Sequence, residues 1–90
     1  MQEIWHFYLV RCSDDSLYSG ICKDLDQRIE KHNQGAGAKY TRGRGPVELV
    51  HSEELESHSA ALKREYAVKR WSKAKKLTLI AKNSSGENSD

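Results

Sequence analysis

Two side chains four residues apart have the chemistry to bind and process a phosphate group: Arg28 and His32. They lie in the stretch LYSGICKDLDQRIEKH, residues 17–32 of a chain of 90 residues. At positions i and i+4 of a helix, both side chains project from neighbouring turns. A guanidinium can hold two phosphate oxygens, and an imidazole can carry a proton near neutral pH. The same spacing also fits a solvated arginine and a histidine that only stabilises the C-terminal end of the helix.

A single carboxylate, Glu65, falls within a second stripe at helical spacing. The stripe consists of Ala61, Leu62, Val68 and Ser72. A carboxylate on the inward side of a small domain is costly unless it is paired or binds a cation. Two interpretations stay open: a salt bridge to Arg28, and a ligand for a hard divalent cation. Both place Glu65 near the first helix.

Two tyrosines, Tyr8 and Tyr18, fall on successive strands of a predicted hairpin. The length of the connecting loop decides whether they share a face, because side chains alternate along a strand. A two- or four-residue loop pairs Tyr18 with Arg11 and puts Tyr8 on the opposite face. A three-residue loop, residues 13–15, pairs Tyr18 with Val10, and the two phenols then share a face. We predict the three-residue loop, or a bulge with the same effect.

Six predicted elements position these residues, in the order ββαβαα. Residues 4–12, 17–21 and 47–55 have the composition of strands. A first helix begins after Asp24, with Gln27 in the capping-box position, and ends at Gly35. Two further helices begin at Ser57 or Ser59 and at Ser72, and end near residues 71 and 82. The sequence therefore predicts an α+β fold, a three-stranded antiparallel sheet flanked by helices, in one domain over residues 1–82. We expect residues 83–90 to form a disordered polar tail.

The charge is unevenly distributed, although the net charge is only +2. Between residues 63 and 76 there are seven basic side chains and one acid, and the glycine-rich stretch 35–45, GAGAKYTRGRG, adds further basic residues. Such segregation produces a positive face, which fits an anionic partner and an ordinary solvated surface equally well. No apolar run approaches the roughly 18–20 residues that cross a bilayer, and the N-terminus does not resemble a signal peptide. We therefore expect a cytoplasmic protein with no membrane partner.

Together these residues resemble the GIY-YIG nuclease superfamily. The two signature tripeptides correspond to residues 6–8, HFY, and 18–20, YSG. The family arginine lies ten residues after the second motif's tyrosine and is met by Arg28, with His32 four residues later and Glu65 on a later helix. The resemblance extends from Trp5 to Lys82 and is strongest to the small single-domain bacterial group often called YhbQ-like.

The chain departs from the motifs at three positions, where His6, Phe7 and Ser19 replace a glycine and two isoleucines. The tyrosines and Gly20 are retained. A lysine that some members carry directly after the second motif is absent, but Lys23 is close.

The resemblance implies an endonuclease that hydrolyses phosphodiester bonds of DNA, with one divalent cation, Mg²⁺ or Mn²⁺, held by Glu65. It implies that Arg28 braces the phosphate, that Tyr18, with His32, accepts the proton of the attacking water, and that Tyr8 orients water or phosphate. It implies no small-molecule cofactor and an association with DNA repair. A non-catalytic nucleic-acid-binding or protein-interaction module on the same fold is the alternative. The residues expected to contact nucleic acid are Lys39, Tyr40, Arg42, Arg44, Lys69, Arg70 and Lys73.

Overall fold

The computed structural model describes residues 4–35 and 45–88, with side chains described through residue 82. Its elements follow the predicted order ββαβαα. They are β1 (Trp5–Arg11), β2 (Leu17–Cys22), α1 (Leu25–Asn33), β3 (Glu48–Leu55), α2 (His58–Lys69) and α3 (Lys73–Asn88). The three strands form one antiparallel sheet in the order β2-β1-β3, which confirms the predicted fold class. The predicted nucleic-acid-binding residues of the glycine-rich stretch, Lys39, Tyr40, Arg42 and Arg44, lie outside the described residues.

The hairpin between β1 and β2 has the predicted three-residue loop. The backbone N–H of Cys12 donates to the carbonyl of Ser16 at 2.8 Å, and the N–H of Asp15 donates to the carbonyl of Cys12 at 2.9 Å. Asp15 has a φ of 70°, the left-handed conformation that closes three-residue hairpin loops. This loop pairs Val10 with Tyr18. The predicted register is therefore confirmed, and both phenols lie on the same face of the sheet.

Side chains alternate between the two faces of the sheet along the central strand β1, and all four from Phe7 to Val10 are buried. Tyr8 and Val10 pack on one face with Leu25 and Ile29 of α1. The other face packs against the later helices, with Phe7, Leu9, Val68, Leu79 and Ile80 in one cluster. Consequently α1 covers one face of the sheet, and α2 and α3 cover the other.

The helices begin where the sequence predicts. The side chains of Asp24, Ser57 and Ser72 each accept a backbone N–H from the residue three positions later, at 3.1–3.2 Å. After α1, Gly35 has a φ of +79°, the left-handed conformation that glycine adopts at helix ends. Only α3 differs from prediction, since it runs on to Asn88 instead of ending near Lys82. Once a helix is nucleated, each added residue gains a hydrogen bond, so weak helix formers at its end can extend it.

The inward side of α2 is narrower than predicted. Ala61 and Val68 are fully buried, whereas Leu62 is 43% exposed. The prediction that Leu62 belongs to the buried stripe is therefore wrong. At about 100° per residue, Leu62 lies a quarter-turn from Ala61 and is carried off the sheet. Within the described parts of the chain, none of the helices is both long enough and apolar enough to cross a membrane.

Candidate active site

Tyr8 is the centre of a hydrogen-bonded cluster on the α1 face of the sheet. Its hydroxyl lies 3.0 Å from Nε2 of His32, and Nε of Arg28 donates to the same oxygen at 3.2 Å. Tyr8 is fully buried and His32 is 1% exposed. Leu25 and Ile29, on the same side of α1 as His32, pack into the core beside this cluster. One phenol thus joins both polar residues of α1 to the central strand.

The protons in this cluster follow from its donors and acceptors. Because Arg28 donates to the Tyr8 oxygen, we infer that the Tyr8 hydroxyl donates to Nε2 of His32, which then carries its proton on Nδ1. Burial raises the pKa of Tyr8 to about 12, although the Arg28 guanidinium opposes this rise. Burial, and then the charge of Arg28, lowers the pKa of His32 below its usual range. Both effects favour a neutral phenol paired with a neutral imidazole.

Gly20 makes room for the Tyr8 ring. The two residues are paired across β1 and β2. A Cβ atom at Gly20 would lie 2.5 Å from the Tyr8 hydroxyl oxygen and 2.7 Å from its Cζ. Such distances are too short for any side chain, so the position requires glycine as long as Tyr8 keeps its present orientation.

Tyr18 borders the same cluster. Its ring centroid lies 6.5 Å from that of Tyr8 and 5.5 Å from that of His32. Unlike Tyr8, Tyr18 is only half-buried. The structure therefore brings together four of the five predicted catalytic residues, Tyr8, Tyr18, Arg28 and His32, and the more exposed phenol is Tyr18.

A positively charged cleft of about 400 Å³ opens beside this cluster. Three of its lining residues are cationic: Lys23, Arg28 and Lys31. Among the side chains that the structure describes, no carboxylate forms an ion pair with Arg28, and the hydrogen bond to Tyr8 is the largest influence that raises its pKa. Lys31 was not predicted as a site residue, although its position three residues after Arg28 puts it on the same side of α1. The remaining lining residues are Ile21, Cys22, Asp24 and Gln27.

Glu65 lies on α2, which packs against the opposite face of the sheet from Tyr8. It is half-buried, and no ion pair joins it to Arg28 within the described residues. The salt bridge, one of the two interpretations that the sequence left open, is therefore not formed. The physical reason is that Ala61 and Val68 direct the inward side of α2 toward Phe7 and Leu9.

From the orientation of α2 on the sheet we infer that Glu65 lies toward the β2 edge. Arg64 donates from Nε and Nη2 to the two carboxylate oxygens of Glu53 on β3, both at 2.9 Å. That pair directs one flank of α2 toward β3. With about 100° per residue, Glu65 lies on the other flank, toward β2. The cleft also reaches this edge, since Ile21 lines it and packs on the α2 side of the sheet.

A second polar cluster, on the α2 face, was not predicted. Nε2 of His51 lies 2.7 Å from Oε2 of Glu53, which also accepts from Arg64. Burial alone would raise the pKa of Glu53, but the hydrogen bonds from Arg64 and His51 outweigh it and lower that pKa. The Arg64 guanidinium lies 5.3 Å from the centroid of the Trp71 ring. Arg64, counted in the basic face from sequence, is thus directed into the fold.

The donor chemistry fits a metal held by one carboxylate. In the described part of the chain there is no group of three or more His, Cys, Asp or Glu residues that could enclose a cation. Mg²⁺ commonly keeps several waters and takes only one or two carboxylates from the protein. Among described residues, no basic side chain forms an ion pair with Glu65. Its carboxylate is therefore available as the single protein ligand of such an ion.

The predicted nucleic-acid-binding residues that are described lie on α2 and α3. Lys69 and Arg70 are exposed. Lys73 donates from Nζ to the carbonyl of Asp15 at 2.9 Å, and its Nζ lies 3.6 Å from the Asp15 carboxylate. Lys73 is therefore partly engaged with the hairpin loop, whereas Lys69 and Arg70 extend from the surface.

Comparison with known proteins gives consistent results. The family model for the GIY-YIG catalytic domain matches residues 4–78. UPF0213 proteins of Staphylococcus aureus strains Mu50 and N315 are 58% identical over 76 residues, 83% of this chain and 93% of each relative. The solution NMR structure of a UPF0213 protein from Bacillus halodurans is 45% identical, with a TM-score of 0.57, and the match covers 87% of this chain and 83% of that one. A solution NMR structure of an E. faecalis protein is 36% identical, with a TM-score of 0.59 and 92% of each chain covered.

Proposed function

The chain belongs to the GIY-YIG family, and we propose that it is a metal-dependent endonuclease that hydrolyses phosphodiester bonds of DNA. The observation that carries this proposal is the cleft in which Lys23, Arg28 and Lys31 meet without a carboxylate partner for Arg28 among the described side chains. A guanidinium in an open cleft without an ion-pair partner is suited to bind an anion. A phosphate group, with two oxygens to match the guanidinium, meets that requirement.

Arg28 is the phosphate-binding residue in this proposal. Its Nε is occupied by the Tyr8 oxygen, which leaves the two terminal nitrogens for the phosphate oxygens. As negative charge grows on the phosphate in the transition state, the guanidinium stabilises it. Tyr8 and His32 are positioning residues, because they act on the phosphate only through the orientation of Arg28.

Tyr18 is the residue that accepts the proton of the attacking water. The pKa of Tyr8, at about 12, keeps that phenol protonated and unsuited to act as a base. Tyr18 is more exposed, and the charge of Arg28 interacts with both phenols. For Tyr18 to take a proton from water, its own hydroxyl proton must first leave to solvent, and the more exposed position of Tyr18 allows that release.

Glu65 holds the divalent cation, Mg²⁺ or Mn²⁺. When bound, the cation neutralises charge on the phosphate and on the leaving oxygen. Glu65 lies on the α2 flank that is directed toward β2, and the cleft spans that same edge. The substrate phosphate would therefore lie at the β2 edge, between residues from both faces of the sheet.

A non-catalytic nucleic-acid-binding module is the second candidate. The observation that favours it is that Glu65 lies on the helix covering the opposite face from Arg28 and Tyr18. The phosphate cleft does not depend on Glu65, so binding without cleavage is physically reasonable. The two candidates differ in what Glu65 does.

A cleavage assay with two matched glutamate variants distinguishes them. Supercoiled, branched and single-stranded DNA are incubated with Mg²⁺ or Mn²⁺ and wild type, Glu65→Gln or Glu54→Gln, where Glu54 is an exposed control. We expect Glu65→Gln to abolish cleavage and to retain DNA binding, while Glu54→Gln cleaves like wild type. DNA binding without cleavage by wild type would favour the second candidate. Equal cleavage by all three proteins would contradict the assignment of Glu65.

Arg28→Ala tests the cleft independently of metal. We expect this substitution to weaken DNA binding in the presence of a chelator, because it removes the central cation of the cleft. Arg11→Ala is the control, since Arg11 is exposed and pairs with Glu48 at 3.2 Å. Equal binding by both variants would refute the phosphate-binding role of Arg28.

A further inference from the structure

The outer flank of α2 carries an exposed aromatic ring among cations, and we propose that it is a stacking site for an unpaired nucleotide of the substrate strand. This surface, the stacking face, consists of Leu62, Tyr66, Lys69 and Arg70. The inference rests on the proposed function, because it assigns part of the same nucleic acid to a second surface. Tyr66 is the residue on which the base stacks.

Tyr66 is the most exposed of the large hydrophobic side chains that the structure describes. It is 66% exposed, and Leu62, one turn earlier, is 43% exposed. The Arg70 guanidinium lies 5.4 Å from the centroid of the Tyr66 ring. Because Tyr66 is 66% exposed even with Arg70 beside it, much of its ring is open to solvent. The face is thus an apolar platform with a cation at its border.

The charges of the stacking face identify the occupant as nucleic acid. Lys69 and Arg70 flank the ring, and Lys63 is also exposed on the same helix. An aromatic ring among cations is the arrangement with which proteins bind single strands, since bases stack on the ring and phosphates contact the cations. Duplex DNA keeps its bases stacked on each other and cannot use the ring in this way.

The stacking face lies next to the proposed catalytic residue of α2. Tyr66 directly follows Glu65, and Lys69 and Leu62 lie between them around the helix at about 100° per residue. The Arg64–Glu53 pair holds the other flank of α2 against β3. A strand whose phosphate lies at the β2 edge can therefore continue onto this face. The predicted substrate has an unpaired nucleotide close to the phosphodiester that is cut.

The test measures binding without cleavage. Fluorescence anisotropy in a chelator compares a single-stranded oligonucleotide with a duplex of the same sequence, for wild type, Tyr66→Ala and Tyr66→Trp. Leu77→Ala is the control, because Leu77 is similarly exposed, at 42%, but lies on α3. A base stacked on an aromatic ring contributes about 1–3 kcal/mol, so we expect Tyr66→Ala to weaken single-strand binding by at least about fivefold. We expect Tyr66→Trp to retain it, and duplex binding to change by less than about twofold.

The outcomes separate this inference from the proposed function. Equal losses for single-stranded and duplex DNA, or no loss in Tyr66→Ala, would overturn the stacking site. If Arg28→Ala still weakened binding in that case, the proposed function would stand. Failure of wild type to bind either oligonucleotide would overturn both.

Discussion

Replacement of Gly20 by alanine tests whether the Tyr8 cluster is built as described. The added Cβ would lie 2.5 Å from the Tyr8 hydroxyl oxygen, and ordinary van der Waals contact begins at 3.4 Å. The hydroxyl must therefore move by about 0.9 Å. A displacement of that size away from α1 breaks the 3.0 Å contact with His32 and the 3.2 Å contact with Arg28.

The expected cost combines three effects. Overpacking of a buried site costs about 1–3 kcal/mol. Loss of a buried hydrogen-bond partner costs a further amount of about 1–3 kcal/mol. Alanine restricts the unfolded chain relative to glycine, which offsets about 0.4–1 kcal/mol. We therefore expect Gly20→Ala to reduce the free energy of unfolding by about 1–5 kcal/mol.

Urea denaturation of a double-mutant cycle measures this cost. Leucine at position 8 lacks the ring atoms that clash, so Gly20→Ala should cost little in a Tyr8→Leu background. The coupling energy should be at least about 1 kcal/mol. Gly45→Ala is the control, because a Cβ there meets nothing within 4 Å and Gly45 does not have a positive φ.

Two results would show that the Tyr8 ring does not pack against Gly20. One is an equal cost of Gly20→Ala in the wild-type and Tyr8→Leu backgrounds. The other is a cost no larger than that of Gly45→Ala. Either would mean that Tyr8 does not occupy the space above Gly20.

Three further predictions concern ionisable groups. The folded pKa of Tyr8, about 12, lies above its unfolded value of 10.0, so its stabilising contribution is present below about pH 10 and is lost as pH rises through 12. Phenolate absorbance should show a late titration step that Tyr8→Phe removes. A step that persists in Tyr8→Phe would contradict the assignment. The folded pKa of His32 lies below its unfolded value, so its contribution to stability is present above the unfolded pKa of about 6.5 and is lost as pH falls. In urea unfolding, His32→Gln should therefore lose less stability between about pH 7 and about pH 5 than wild type. Equal losses in the two proteins would contradict this role of His32. Glu53→Gln breaks a partly buried pair with Arg64 and should lower the free energy of unfolding in urea by about 1–2 kcal/mol. Glu48→Gln breaks an exposed pair with Arg11 and should lower it by less than about 1 kcal/mol. The reverse order would contradict the structure.

The local structure could be predicted from the sequence because its causes are local. Helix starts follow from Asp24, Ser57 and Ser72, which supply capping oxygens. Tyr8 and Tyr18 lie on the same face of the sheet because the loop has an odd number of residues. Side chains alternate along a strand, so the register decides the face on which each side chain lies. The Tyr8–His32 contact did not follow from spacing alone, because it depends on how α1 crosses the sheet.

Which face of the sheet each helix covers could not be predicted from the sequence. A stripe of apolar residues on α2 shows which side is buried but not which face of the sheet it covers. For that reason a salt bridge between Glu65 and Arg28 stayed open as one interpretation of the sequence, although none joins them within the described residues. Similarly, Arg64 was counted as surface charge, because its partner Glu53 lies eleven residues away on another element.

In the proposed function, Glu65 and the Arg28 cleft form one catalytic centre around the β2 edge. Titration of the ¹⁵N-labelled protein with Mn²⁺ tests this most directly, since the ion broadens signals according to their distance from it. We predict broadening centred on Glu65 that includes Lys23 and Arg28 and is lost in Glu65→Gln. Broadening centred on the acidic hairpin loop at Asp14 and Asp15, or unchanged in Glu65→Gln, would contradict the account.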